Sequence, residues 1–204
     1  MSNIYEVPMK KVLPLALIAG VTVLGLTGCY AEPEYVVGSN KVEHINDLTI
    51  NGYSDQDYSF ISGMTPHHEQ AIVMSRLALT NSSNPEIKTI AQNIIDAQTL
   101  EIATLKTWAD TAESKTADHN GHMGMNHSMD GMLSDAEMTA LSKTSGTEFD
   151  KLYLMGMINH HEGAIVMANN VISTQNEDVK AFAENVIKVQ QSEIDKMKSM
   201  LAAL

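Results

Sequence analysis

Phe60-Ile-Ser-Gly-Met-Thr-Pro-His-His-Glu-Gln-Ala-Ile-Val-Met74 decides the fold, because the chain writes it twice: Tyr153-Leu-Met-Gly-Met-Ile-Asn-His-His-Glu-Gly-Ala-Ile-Val-Met167 follows 93 residues later. Gly63, Met64, His67, His68, Glu69, Ala71, Ile72, Val73 and Met74 recur as Gly156, Met157, His160, His161, Glu162, Ala164, Ile165, Val166 and Met167. After a slip of one residue the match resumes at an offset of 92. Lys88, Ala91, Asn93, Ile95, Gln98, Glu101 and Ile102 return as Lys180, Ala183, Asn185, Ile187, Gln190, Glu193 and Ile194. Self-similarity at a fixed offset marks one supersecondary unit used twice.

Within each copy the apolar residues step by three and four, the period of an amphipathic helix. Each copy therefore reads as helix, short polar connection, helix. The connections at 81–84 and 173–176 are short, which favours antiparallel neighbours. Helix limits have local causes. Ser54 followed by Asp57 predicts an N-cap with an acidic first turn. Asn84-Pro85-Glu86 places a cap, a proline at the first helical position and then an acid. Ser145 or Thr147 opens the third helix and Asn176 the fourth. Pro66 falls inside the first, where Asn159 stands in the second copy. The expected helix starts near Asp55 and kinks at Pro66, freeing the Ser62 carbonyl.

A lone amphipathic hairpin cannot cover its own apolar face, but two related hairpins bury theirs against each other. The expected fold is all-α: an antiparallel four-helix bundle with a pseudo-twofold axis, built from two repeated helical hairpins. Repeat 1 spans 54–108, a connection 109–145, and repeat 2 146–204. The connection carries His119, His122, Met123, Met125, His127, Met129 and Met132, three His and four Met in a short stretch with three Gly. It holds almost no other bulky apolar residue, so it cannot make a core. A short helix is expected from Ser134 to Leu141.

Upstream of the domain the chain reads as an address. Lys10 and Lys11 precede an apolar run from Val12 to Leu26, too short for a comfortable membrane span. It ends in Leu26-Thr27-Gly28-Cys29, and Cys29 is the single cysteine. The pattern resembles the lipobox of bacterial lipoproteins. It predicts a signal peptide over 1–28, a lipid on Cys29 that anchors the chain to a membrane outside the cytoplasm, and a tether over 29–53. Two acyl chains on one cysteine make a stable anchor where one is marginal. The chain carries a formal net charge of −12, which disfavours nucleic acid and anionic lipid surfaces. One cysteine excludes an internal disulfide, so the domain is held by packing, or by packing and metal.

The repeated stripe carries the chemistry. On a helix Met64, His68 and Ala71 fall on the central line, with His67 and Met74 at one edge, and Met157, His160, His161, Ala164 and Met167 repeat the pattern. Buried imidazoles need hydrogen-bond partners or a metal. Imidazole with thioether suits copper, and thioether suits Cu(I) or its analogue silver more than Mg or Ca. On the second helix of each repeat, Gln98 and Glu101, and Gln190 and Glu193, fall on the apolar stripe. They are expected to orient the histidines from an outer shell, with Glu69 and Glu162 as further members. The connecting His and Met residues form a second, pliable ligand set.

At these segments the sequence resembles the domain-of-unknown-function 305 family of the ferritin-like helical superfamily. The resemblance rests on Met64-Thr-Pro-His-His-Glu-Gln-Ala, Met157-Ile-Asn-His-His-Glu-Gly-Ala, the Gln-x-x-Glu-Ile segments at Gln98 and Gln190, and Met132-Leu-Ser-Asp-Ala-Glu-Met, and covers 54–204. It implies a ferritin-like bundle. Some members are similar to periplasmic copper-binding, copper-resistance proteins, which implies a copper role for Met64, His67, His68, Met74 and their second-copy partners. The expected function is binding of Cu(I), Cu(II) or both, for buffering, sequestration or delivery, with copper ions as ligand and a copper-handling protein as a further partner. No catalytic residue is assigned. A ferritin-like di-metal oxidase would need Glu-x-x-His on two helices, and the sequence contains no such motif. A structural or interaction lipoprotein without metal is the third reading.

Overall fold

The computed structural model describes residues 52–113 and 130–204. Five helices follow in order: α1 Asp55–Asn81, α2 Pro85–Glu113, α3 Asp135–Lys143, α4 Gly146–Asn169 and α5 Glu177–Ala202. The hairpins α1–α2 and α4–α5 meet through α1 against α4, and the short α3 packs on both. The all-α bundle of two helical hairpins is the fold, with α3 supplied by the connection.

Caps set the helix starts. The Ser54 hydroxyl accepts from the Asp57 amide while the Asp57 carboxylate accepts from the Ser54 amide, a reciprocal box repeated at Ser134 and Glu137. The Asn84 side chain accepts from the Glu86 amide at 2.9 Å, and Asn176 accepts from both Asp178 and Val179. Ser145 caps α4 without a side-chain hydrogen bond. α1 runs through Pro66 as one helix. The imide nitrogen there cannot donate, so the Ser62 carbonyl lacks the main-chain partner that residue 66 would otherwise provide.

Two apolar clusters fill the bundle. One holds Ala71, Met74, Ile87, Ile90, Ile94, Phe149, Tyr153, Leu154 and Met157, with Leu141 of α3 at its edge. The other holds Phe60, Ile61, Met64, Leu105, Ala164, Ala168, Val179 and Val186. Met64 and Ala71 belong to different clusters, as do Met157 and Ala164, in reversed order along the chain. The residues between them, 67–68 and 160–161, therefore occupy the layer where the clusters meet.

Tyr53, expected at the end of the tether, is instead buried in the second cluster against Tyr58 and Trp108. The carbonyl of its neighbour Gly52 accepts from the Asn176 side-chain Nδ2 at 2.9 Å. A large ring stabilises the fold through the area it removes from water, which is why the domain reaches back past its first helix. The remainder of the expected tether, the signal peptide and Cys29 lie outside the described residues. Among the described residues no helix is long and apolar enough to cross a membrane.

Candidate metal site

His67 and His68 of α1 and His160 and His161 of α4 are all 0% exposed. They come together for a sequence reason: adjacent histidines at the same register of two antiparallel repeats must meet near the pseudo-twofold axis. The His67 and His160 rings lie with centroids 3.8 Å apart, and the His160 and His161 centroids are 6.3 Å apart.

Each outer histidine has a carboxylate from the second helix of its own hairpin. His161 Nε2 donates to Glu193 Oε2 at 2.8 Å. His68 Nε2 lies 2.9 Å from Glu101 Oε2, an ion-pair distance that lacks the alignment of a hydrogen bond. The inner pair is treated unequally. His67 Nε2 donates to the Asp130 carbonyl at 3.0 Å, whereas neither ring nitrogen of His160 has a partner.

Burial drives the inner pair neutral. Desolvation pulls His67 down to about 4 from an ordinary 6.5, the Asp130 carbonyl opposes this, and the nearby His68 and His161 lower it further. Desolvation holds His160 well below the ordinary value, helped by His67, His161 and His68 and weakly opposed by the His67 backbone. Neutral rings keep a lone pair for a cation, while protonated ones would repel it.

Six of the layer's unpartnered polar atoms form symmetric pairs: Nδ1 of His67 and His160, Nδ1 of His68 and His161, and Oε1 of Gln98 and Gln190; Nε2 of His68 and of His160 are unpartnered on one side only. Each such atom costs about 1–3 kcal/mol when buried, so the layer carries a repeated destabilisation. Gln98 and Gln190 are buried as the stripe predicts, but their amide oxygens meet no hydrogen-bond donor.

The methionines flank the layer. Met64, Met74 and Met157 are fully buried, and Met167 is packed against the second cluster. Two reciprocal notches receive them. A Cβ on Gly63 would meet the Met167 methyl at 3.1 Å, and one on Gly156 would meet the Met74 methyl at 3.3 Å. All four thioethers thus sit in the clusters that sandwich the imidazoles. Met132 is half-buried on the segment leading into α3.

Glu69 and Glu162 depart from expectation. They face solvent and pair with Lys106 at 2.8 Å and Lys198 at 3.0 Å. A residue next to an inward histidine is rotated by about 100° around the helix, toward water. They do not orient the imidazoles.

The reading of the sequence missed Gln70, Asp130 and Asn159. Gln70 donates to the Leu133 carbonyl at 2.9 Å and accepts from the Leu133 amide at 2.8 Å. Asn159 donates to the Gly131 carbonyl at 3.2 Å. Residues 130–133 are thereby strapped across the histidine layer. His119, His122, Met123, Met125, His127 and Met129 lie outside the described residues.

Among the described residues no three His, Cys, Asp or Glu side chains converge to hold a metal. The layer does not offer the oxygen cage of a hard cation. It offers imidazole nitrogen bordered by thioether sulfur, a donor set that fits a soft ion.

A family model described as a domain of unknown function, DUF305, matches residues 57–201. A DUF305 protein of Streptomyces coelicolor, described as secreted, superposes with a TM-score of 0.65 at 29% identity, covering 72% of this chain and 93% of that one. CopM in its Cu(I)-bound form superposes with a TM-score of 0.59 at 32% identity, covering 72% of this chain and 96% of that one. CopM structures also exist in Cu(II)-bound, Ag-bound and apo forms. An uncharacterised protein of Acanthamoeba polyphaga mimivirus is 43% identical over 92 residues, covering 40% of this chain and 60% of that relative. The chain thus spans less than two thirds of the length of that curated relative.

Proposed function

The chain belongs to the DUF305 family, and from that premise we propose that it is an extracytoplasmic copper-binding protein, anchored through a lipid on Cys29, that takes copper with histidine and methionine. The observation that carries this reading is the buried layer of four imidazoles in which Nδ1 of every ring is unpartnered. A packing fault has no reason to recur at the same register of both repeats. A soft cation taken by imidazoles of the layer gives both copies the same reason. The metal-bound forms of CopM support copper and silver as the ions.

Among the described residues no three imidazoles converge, so an ion would be held by at most two of His67, His68, His160 and His161, with sulfur from among Met64, Met74, Met157 and Met167. Glu101 and Glu193 stand beside the outer rings and fix them. The copper is cargo, for buffering, sequestration or delivery to a partner that handles copper. No residue is given a catalytic role. His119, His122, Met123, Met125, His127, Met129 and Met132 form a second, weaker set in this proposal.

The test is chelator competition with Cu(I) and Cu(II) on the purified chain. The expected result is Cu(I) binding that falls when His68 and His161 are both replaced by Ala and changes separately when 119–129 is deleted, which leaves Asp130 on His67. No binding of either ion at micromolar concentration would overturn the proposal. Unchanged affinity in both variants would overturn the assignment of residues.

A further inference from the structure

The pseudo-twofold symmetry breaks where the strap crosses it. Within the repeated segment Gln70 corresponds to Gly163, and Pro66 to Asn159. All but Pro66 serve residues 130–133. Gln70 clamps Leu133 through both atoms of its amide, and Asn159 holds Gly131. At Gly163 any Cβ would overlap the Asp130 carbonyl, and at Gly131, whose φ is +82°, a Cβ would overlap the Asn159 carbonyl. Proline at 159 could not donate to the strap, and glycine at 70 could not clamp it. The differences at 70/163 and 66/159 are thus the fittings of one backbone segment.

That segment ends on a histidine. A carbonyl only accepts, so the Asp130 oxygen 3.0 Å from His67 Nε2 requires the proton on Nε2. In a neutral imidazole the lone pair then resides on Nδ1, which is buried and has no protein partner. His160, the symmetry mate, is reached by no strap carbonyl; the His67 backbone acts on it only as the weakest influence, and neither of its nitrogens makes a well-formed hydrogen bond.

We infer that the Asp130–Leu133 strap presets His67 as an Nδ1 donor toward a soft cation, Cu(I) or Ag(I), and that Gln70 and Asn159 are the positioning residues that hold it there. The two central imidazoles are therefore not equivalent: one has its tautomer set by a strap carbonyl before the ion arrives, and the other has no such partner. Outer partners of this kind orient metal-binding histidines and change affinity when lost. The cation part of the inference rests on the copper reading above; the tautomer does not.

The experiment uses the full ¹⁵N-labelled chain in detergent, first free of metal. Long-range ¹H–¹⁵N imidazole correlations are expected to show His67 as the Nε2–H tautomer. Gln70→Ala is expected to release the strap and turn the His67 pattern into a mixture. Glu69→Gln, one residue away but facing Lys106, is expected to leave it unchanged. Asn159→Ala gives the same reading should Gln70→Ala fail to fold. Chelator competition then follows, with Cu(I) affinity expected to fall about tenfold in Gln70→Ala. His67 found as Nδ1–H, or a pattern indifferent to both strap variants, overturns the inference even if copper binds. The expected tautomer in a chain that takes no Cu(I) supports the strap and overturns the copper reading instead.

Discussion

The two hairpins share the paired histidines, the methionines that flank them, and matched surface ion pairs, yet they differ elsewhere, and two kinds of difference bear on the core and the layer. Some differences compensate each other across the axis. Tyr153 replaces Phe60 and Ser75 replaces Ala168, and the two added hydroxyls hydrogen-bond to each other at 3.1 Å in the core. Burial pushes the Tyr153 phenol well above its usual range, so it stays protonated for that bond. Other differences, Gln70 against Gly163 and Asn159 against Pro66, admit the strap on one side only. The shared residues make the polar layer. The unshared ones either repair the core or make the layer lopsided.

Making the second copy like the first should have the largest effect. Gly163→Gln drives a side chain into the Asp130 carbonyl. It is expected to cost about 3 kcal/mol, at the upper end for overpacking, read as a drop in Cm at unchanged m. A variant as stable as the parent would show that the strap does not press on α4.

Acid should strike the layer that the copies share. His67 is held at about 4 in the fold against 6.5 when exposed. The unfolded chain therefore binds a proton first as pH falls. The folded state keeps its full advantage above 6.5 and loses it progressively toward 4, by up to about 3 kcal/mol from this group alone. Thermal melts of metal-free protein between pH 7 and 4.5 should show a falling Tm, with His160 adding in the same direction. A Tm that is flat across this window would contradict neutral, desolvated inner histidines.

The hydroxyl pair predicts a smaller, coupled effect. Tyr153→Phe or Ser75→Ala leaves one buried hydroxyl without its partner, at about 1–2 kcal/mol each. Removing both should cost clearly less than the sum, a coupling near 1 kcal/mol in a double-mutant cycle. Strict additivity would mean that the pair is not a compensated unit. The smallest effect belongs to the matched surface pairs. Glu69→Gln and Glu162→Gln should each shift stability by less than about 0.5 kcal/mol, and equally.

Much of this was legible in the sequence, for physical reasons. The offset match gave the two hairpins, because the same apolar stripe must find the same kind of partner. Caps at Ser54, Asn84 and Asn176 were readable because the side-chain chemistry is local. The burial of His67, His68, His160 and His161 followed from their place on the stripe. Glu69 and Glu162 were misplaced because chemical type was given more weight than angular position. The strap was missed because residues 130–133 have no period, and Gln70 and Asn159 stand on faces where polarity is unremarkable. A signal existed: within a segment otherwise nearly identical, positions 66/159 and 70/163 disagree in hydrogen-bonding capacity. Distance in sequence hid what they serve.

The histidine layer also decides how the hairpins line up. Apolar clusters alone tolerate sliding, since one leucine or methionine replaces another with little penalty. A slip of α1 against α4 by a single turn would carry the imidazoles into the cluster around Phe60 and Ile61 or that around Ile90 and Ile94, away from Glu101, Glu193 and Asp130. Each displaced ring would then bury its nitrogens in hydrocarbon. The layer therefore acts as an alignment key: it weakens the native core but penalises every shifted pairing more, as a single buried polar residue does along a coiled-coil seam.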